Sequence, residues 1–216
     1  MPQIDDKYSK SKVLERDWEA YYNAVVGRPP RETLLAALAR FDAEASEVNS
    51  RFAVDLGCGE GRDTVELLRR GWHVLAIDGQ AEAIARLRLR PDIDPIHLEK
   101  QFASQVIRFE DANLPTSVDL VNASFSLPFC PPDRFPSLWA RIVISLKTGG
   151  RFCGQILGDR DSWATYTSTN HHSRKEVEEL LRSFAIEMLE EEEHLGKTAI
   201  GEEKYWHIFH IVARKR

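Results

Sequence analysis

The chain has 216 residues, enough for one domain with a sizeable core, and its 29 Lys+Arg against 34 Asp+Glu leave a formal net charge of −5 that argues against bulk nucleic-acid binding. No apolar run is long enough to span a bilayer, and the opening MPQIDDKYSK is too polar for a signal peptide. The three cysteines, Cys58, Cys130 and Cys153, are widely spaced and odd in number, so they make neither a disulfide framework nor a metal site, and a reducing cytoplasm is the expected compartment.

Residues 1–10 read as a loose tail. Lys12–Val25 places Leu14, Trp18, Tyr21 and Val25 at helical spacing, with Tyr22 beside them. Gly27-Arg28-Pro29-Pro30 breaks that helix, and Pro30 can open a second one striped by Leu34, Leu38 and Phe41. Residues 43–50 are polar and lead to Arg51–Gly61, RFAVDLGCGEG, around which the chain is organised. Its apolar run, Phe52–Leu56, reads as a strand buried on both faces. Gly57, Gly59 and Gly61 then give a tight turn without Cβ atoms where a ligand must come close. Arg62–Arg70 reads as a helix stopped by Gly71. Strand, glycine turn and helix make a nucleotide-binding crevice at a helix N-terminus.

A second buried strand, His73–Asp78, ends in an acid, and Gln80–Arg90 follows as a short helix. The segment 91–95 is a break and 97–105 is ambiguous between helix and strand. Val106–Phe109 reads as a third strand ending at Glu110-Asp111-Ala112, and Val118–Phe125 as a fourth. Pro131-Pro132 opens a helix striped by Phe135, Leu138, Trp139, Ile142, Val143 and Leu146, which Gly149-Gly150 stops. Arg151–Leu157 is a fifth strand. The loop 158–172 carries Arg160, Trp163, Tyr166 and His171-His172, groups able to meet a ligand. Ser173 and Glu176 have capping-box spacing before a last helix. Ala185–Leu189 and Tyr205–Ala213 are the final strands, joined too closely for a helical crossover and therefore antiparallel. Glu190–Glu193 reads as a solvated strand end. The β-α alternation predicts an α/β fold with a doubly wound, mostly parallel sheet.

Among the candidate residues, Asp78 stands at a strand end about twenty residues past the glycine turn, where a carboxylate accepts from ribose hydroxyls. A dinucleotide fingerprint requires G-x-G-x-x-G/A. Here the sixth position is Arg62 and the third glycine comes one residue early, which disfavours a nicotinamide cofactor. Asp55 lies in a buried strand, where an unpaired carboxylate is costly, so it needs a partner such as the glycine-loop N–H groups. Cys58 has no legible Cys–His arrangement beside it and reads as packing. His171-His172 has no third ligand in reach, and no metal site is expected.

Val54-Asp55-Leu56-Gly57-Cys58-Gly59-Glu60-Gly61, followed by Val74-Leu75-Ala76-Ile77-Asp78, resembles the class I S-adenosylmethionine (SAM)-dependent methyltransferases, nearest the small tellurite-resistance-type branch. Glu110-Asp111-Ala112, the closing antiparallel pair and the aromatic Trp18-Glu19-Ala20-Tyr21-Tyr22 fit the same pattern, and the resemblance covers most of the chain. It implies a Rossmann-like, seven-stranded sheet with an antiparallel last strand, and SAM lying across the ends of the first strands. The cofactor residues it implies are Asp55, Gly57, Cys58, Gly59, Asp78, Gly79, Asp111, Ala112 and Ser124. Asp111 would sit on the adenine side, Asp55 would face either the glycine loop or the methionine amino group, and Ser124-Phe125 would lie near the transferring methyl. Tyr22, Arg28, Phe125, Arg160 and His171 are the acceptor candidates, while no catalytic residue is legible. Residues 1–50 are expected to form a helical lid of the same domain and residues 51–216 its SAM-binding core. The expected activity is in-line methyl transfer to a small-molecule acceptor by a monomer or homodimer. The alternatives are a non-catalytic module holding SAM or its product, and a nicotinamide-dependent oxidoreductase.

Overall fold

The computed structural model describes residues 13–44 and 50–216. The tail expected over residues 1–10, the start of the first helix at residue 12 and most of the polar linker lie outside the described residues. Helix α1 runs Trp18–Val25, capped by the Asp17 carboxylate on the Ala20 N–H, and α2 runs Glu32–Ala43. Strand β1 (Phe52–Leu56), α3 (Arg62–Arg69) and β2 (His73–Asp78) follow as the apolar runs and glycine stops predict. Next come α4 (Ala81–Arg88), α5 (Pro95–Lys100), β3 (Phe102–Val106), β4 (Val118–Ala123), α6 (Phe135–Ser145) and β5 (Leu146–Gly158). The chain continues through a two-residue strand β6 (His171–His172), α7 (Arg174–Leu180), β7 (Phe184–Lys197) and β8 (Glu203–Lys215).

The sheet order is β3-β2-β1-β4-β5-β8-β7, with β6 on the edge of β5. Every pairing from β3 to β5 is parallel, and β8 runs antiparallel to both β5 and β7. This is the doubly wound Rossmann-like architecture the sequence predicts, with the antiparallel strand inserted between its neighbours. Chain direction across the sheet reverses between β1 and β4, and the crevice at such a switch point is where ligands bind in open α/β sheets.

Alternate residues of the buried strands serve two cores. Val54, Leu56, Val121 and Phe152 pack under Leu138, Trp139 and Ile142 of α6. Ala53, Leu120 and Val212 pack under Leu34, Leu38 and Phe41 of α2 and Val65 and Leu68 of α3. Helix α2 is thus part of the core rather than of a lid, which limits any lid to the residues before it.

Several boundaries differ from the sequence reading. The first helix, expected from Lys12, begins at Trp18, and residues 13–17 are not helical. The third strand is Phe102–Val106, four residues earlier than expected, because this edge strand buries no residue fully and lacks a continuous apolar run. Helix α6 starts after the Pro131-Pro132 turn, at Phe135. Gly149-Gly150 lies inside β5 rather than after a helix, since a Cβ at Gly150 would meet the Val118 carbonyl at 2.9 Å where β5 joins β4. The acidic run Glu190–Glu193 is the middle of a 14-residue strand, paired along its length with β8.

Candidate active site

The glycine turn sits at the C-terminal end of β1. Gly57, Gly59 and Gly61 have φ of +70°, +55° and +89°, a region L-residues avoid. The Gly57 and Cys58 N–H groups both donate to the Ile77 carbonyl, at 2.7 and 3.1 Å, binding the turn to β2. Asp78 at the end of β2 completes the tie: its Oδ2 accepts from Gly59 N–H at 2.9 Å and its Oδ1 from Gln80 N–H at 2.8 Å. Burial raises its pKa, opposed by these two N–H donors. Each oxygen keeps a lone pair for a ligand hydroxyl. Burial also pushes the Cys58 thiol up, consistent with packing rather than nucleophilic use.

Of the two roles expected of Asp55, holding the glycine-loop N–H groups is not the one its contacts show. Its Oδ2 accepts from Thr64 Oγ1 at 2.6 Å and its Oδ1 from Asn122 Nδ2 at 2.9 Å, so it binds α3 and β4 and none of the glycine-loop N–H groups. The same Asn122 amide donates to Asp63 Oδ2 at 3.0 Å, and Asp63 Oδ1 accepts from Arg31 N–H at 2.9 Å. Two buried carboxylates therefore share one amide at the switch point. Burial, and then the Asp63 charge, push the Asp55 pKa up to about 7. Asn122 Oδ1 accepts in turn from Ser124 Oγ at 3.1 Å.

Asp55, Asp63, Asp78, Ser124 and the turn from Gly57 to Glu60 line one cavity of 990 Å³. Its first half runs past Asp55, Gly57, Cys58, Gly59, Asp78, Gly79 and Ser124, and Tyr22 of α1 lies over Gly59. The Trp18 ring packs edge-on to Phe129 at 5.0 Å, and Leu14 N–H donates to Ser168 Oγ at 2.9 Å. Residues 14–25 thus bridge the cavity from the glycine turn to the loop after β5. Arg28 borders the same opening, and the Arg31 guanidinium lies 4.4 Å from the Phe125 ring centre. The second half lies against the β5-β8-β7 face, walled by Phe125, Phe129, Trp163 and Trp206.

Of the sequence candidates, Asp55, Gly57, Cys58, Gly59, Asp78, Gly79, Ser124, Tyr22, Arg28 and Phe125 share this cavity. Four do not. Asp111 points away and pairs with Arg134 at 2.5 Å; with β3 ending earlier, the acid on the cavity wall is the buried Glu110, which pairs with Arg108. Ala112 is fully buried in the core under α6. Arg160 is held outside by Glu191 at 2.8 Å and Glu193 at 2.7 Å. His171 is exposed on β6, bound to the edge of β5. The reading missed Glu192, His194, Trp206 and His210, which enter the cavity from β7 and β8. The signal was their period-two spacing across a hairpin, usable only once the register is known. Among the described residues, one His/Glu grouping has metal-ligand spacing, Glu191-Glu193-His207, and the Arg160 guanidinium bridges it.

Residues 53–150 match the family described as a methyltransferase domain. No curated protein sequence matches the chain. Among solved structures, TehB from Haemophilus influenzae is similar at 19% identity and a TM-score of 0.64, over 82% of this chain and 62% of that one. Phosphoethanolamine N-methyltransferase 2 from Haemonchus contortus, solved with phosphomonomethylethanolamine and S-adenosylhomocysteine, is similar at 17% identity and 0.61, over 92% and 56%. Geranyl diphosphate C-methyltransferase from Streptomyces coelicolor A3(2), solved with Mg2+, geranyl diphosphate and S-adenosylhomocysteine, is similar at 16% and 0.60, over 92% and 97%. The chain therefore spans less than two thirds of the first two, and at these identities the likeness shows the Rossmann-like α/β fold alone.

Proposed function

We propose that this chain, whose residues 53–150 match the methyltransferase-domain family, transfers the methyl group of SAM to a small-molecule acceptor. The observation that carries the reading is one cavity of 990 Å³ with two chemically distinct halves, large enough for a nucleoside cofactor and a small acceptor together. The donor set of the first half suits SAM. Gly59 leaves a cradle without a side chain, Asp78 retains acceptor capacity for ribose hydroxyls, and Ser126 Oγ is buried on the wall without a partner among the described residues. Glu110 in place of Asp111 is the acid for the adenine side, and Asp55 and Asp63 give the methionine end an anionic wall. When bound, the cofactor supplies a methyl already activated on a sulfonium.

The protein's own part is positioning and exclusion of water. Asp78 and the glycine turn fix the nucleoside end. Ser124 and Phe125, at the end of β4, stand where the two halves meet, and Phe125 N–H is held by Gln155 Oε1 at 3.0 Å. Residues 14–25 act as a lid, with Tyr22 over the turn and Trp18 on Phe129. Arg28 and Arg31 meet an anionic group at the mouth. No helix among the described residues is long and apolar enough to cross a membrane. The reading places the protein in the cytoplasm, its three cysteines buried and unpaired, as a monomer or homodimer without a nucleic-acid partner. Titration calorimetry with SAM, S-adenosylhomocysteine and NADH, followed by a screen of S-adenosylhomocysteine release against a metabolite library, tests it. NADH binding without SAM binding overturns the reading. SAM binding without release in any acceptor pool favours the non-catalytic module.

A further inference from the structure

The second half of the cavity carries a group that methyl transfer by proximity alone does not use. On β8, Trp206, Ile208 and His210 face the cavity at alternate positions, and Glu192 and His194 do so from β7. His210 Nε2 lies 2.7 Å from Glu192 Oε2, and His194 Nδ1 lies 3.0 Å from Glu192 Oε1. A carboxylate only accepts, so His210 Nε2 carries the proton that it donates to Glu192, and Nδ1 is left with its lone pair. Among the described residues the hydrogen bond of the His210 side chain is the one made by Nε2 to Glu192. The pair sits beside the meeting point of the two halves. His210 is the register partner of Gln155, whose side chain holds Phe125 N–H, and the rings of His210 and Phe125 are 6.4 Å apart. The walls around it are aromatic: Trp206 lies 6.3 Å from Phe125 and 5.6 Å from Trp163, which lies 6.0 Å from Phe129.

We infer that His210, oriented by Glu192, is the base that takes the proton of the methyl acceptor, and that the acceptor is a flat hydroxyaryl compound. This rests on the methyl-transfer reading above. A neutral amine attacks without a base and a thiol ionises readily, whereas a phenolic hydroxyl with a pKa near that of tyrosine, about 10, gains most from one. Flat apolar walls fit its ring, with centroids offset or edge-on. In the step, the O–H proton moves to His210 Nδ1 and an oxygen lone pair forms the new O–CH3 bond. The methyl–sulfur bond breaks with its electron pair remaining on sulfur. The products are an aryl methyl ether, S-adenosylhomocysteine and an imidazolium at His210, stabilised by the Glu192 carboxylate. The charged and titratable groups around His210 are Glu190, Glu192 and His194 on β7, and Arg31 over Phe125.

The test reads binding and turnover separately. First, 4-nitrophenol is titrated into the S-adenosylhomocysteine complex and its phenolate absorbance followed with pH. The wild type should ionise the bound probe at lower pH than free probe, and His210→Gln should abolish that shift. Second, with SAM, His210→Gln should lower turnover of weakly acidic phenols by at least about a hundredfold, and of the more acidic 4-nitrophenol by less than about tenfold. Imidazole should restore activity to His210→Gly. Glu192→Gln, at a half-exposed position that should not disturb folding, should lower kcat for weakly acidic phenols while leaving KM unchanged. The inference is overturned if the probe does not bind, if its ionisation is the same in His210→Gln, or if the wild type releases S-adenosylhomocysteine only with acceptors other than phenols. That last outcome leaves methyl transfer standing, whereas failure to bind SAM or its product removes both.

Discussion

Replacing Asn122 by leucine tests the shared amide between the two buried carboxylates. Asn122 is fully buried, and the substitution keeps its approximate volume while deleting the donor to Asp55 at 2.9 Å and to Asp63 at 3.0 Å. Hydrogen bonds to charged groups contribute about 1.5–3 kcal/mol each, so with both acids ionised the loss is about 3–6 kcal/mol. The loss depends on pH through Asp55, whose folded pKa is pushed up to about 7 from 3.8. Because that pKa is raised, native Asp55 keeps a proton the unfolded chain has released. It contributes stability that is complete below its unfolded pKa and lost as pH rises through about 7. Below that point the protonated carboxyl can donate to Thr64, and only the Asp63 bond weighs fully. Asn122→Leu should therefore cost about 1.5–3 kcal/mol less at pH ~5.5 than at pH ~8.5. Urea unfolding of both proteins at the two pH values measures this. A variant folded at the lower pH and unfolded at the higher is the same result in its extreme form. A cost equal at both pH values within about 0.5 kcal/mol refutes the shared-amide account, since surface-like substitutions vary within that range. Asp55→Asn in the same background should recover part of the loss at high pH, because it removes the charge left without its donor.

Asp78→Ala should weaken SAM binding at least about tenfold by calorimetry, through the lost ribose acceptor and the released Gly59 N–H; an unchanged Kd in a folded variant shows a structural role only. Gly61→Ala and Gly59→Ala both place a side chain at positive φ, at about 1–2 kcal/mol each, but only the Gly61 Cβ would overlap Leu87, so Gly61→Ala should destabilise more, by about 1–3 kcal/mol further, whereas Gly59→Ala should lose SAM affinity more. Matching urea midpoints and matching Kd values in the two variants would contradict this assignment. A chain starting at Arg31 should lose turnover far more than thermal stability, and SAM with acceptor should protect the full chain from proteolysis near Gly27. Normal turnover by the shortened chain rules out the lid.

What could be read from the residues follows burial. Strands β1 and β2 were legible at both ends because each is a continuous apolar run stopped by glycine or an acid, buried on both faces. β3 was not, because Phe102-Ala-Ser-Gln-Val106 is a half-exposed edge, while the apolar Ile107 and Phe109 just beyond it pack on the core from a loop. With β3 ending earlier, Glu110 rather than the expected Asp111 is the acid on the cavity wall. Asp55 was legible as a buried acid needing partners, but Thr64 and Asn122 come from α3 and β4, and only tertiary packing joins them. Glu192, His194 and His210 were hidden for a related reason. In β7 and β8 charged residues alternate with others on a ribbon of 14 and 13 residues, and which face meets the cavity depends on a cross-strand register that no local pattern specifies.

The insertion of β8 between β5 and β7 has a consequence for how the chain is made. Domains fold largely from the N-terminal side as they are synthesised, at about 5–20 residues per second. Here β7 emerges before the strand that must separate it from β5, so for those seconds it has no place in the sheet and its hairpin partner does not yet exist. The parallel strands β1–β5 and the glycine turn can assemble first, while Trp206, Ile208 and His210 arrive only with β8. The half of the cavity at the glycine turn therefore draws on strands that precede, in the chain, the β7–β8 hairpin walling the other half.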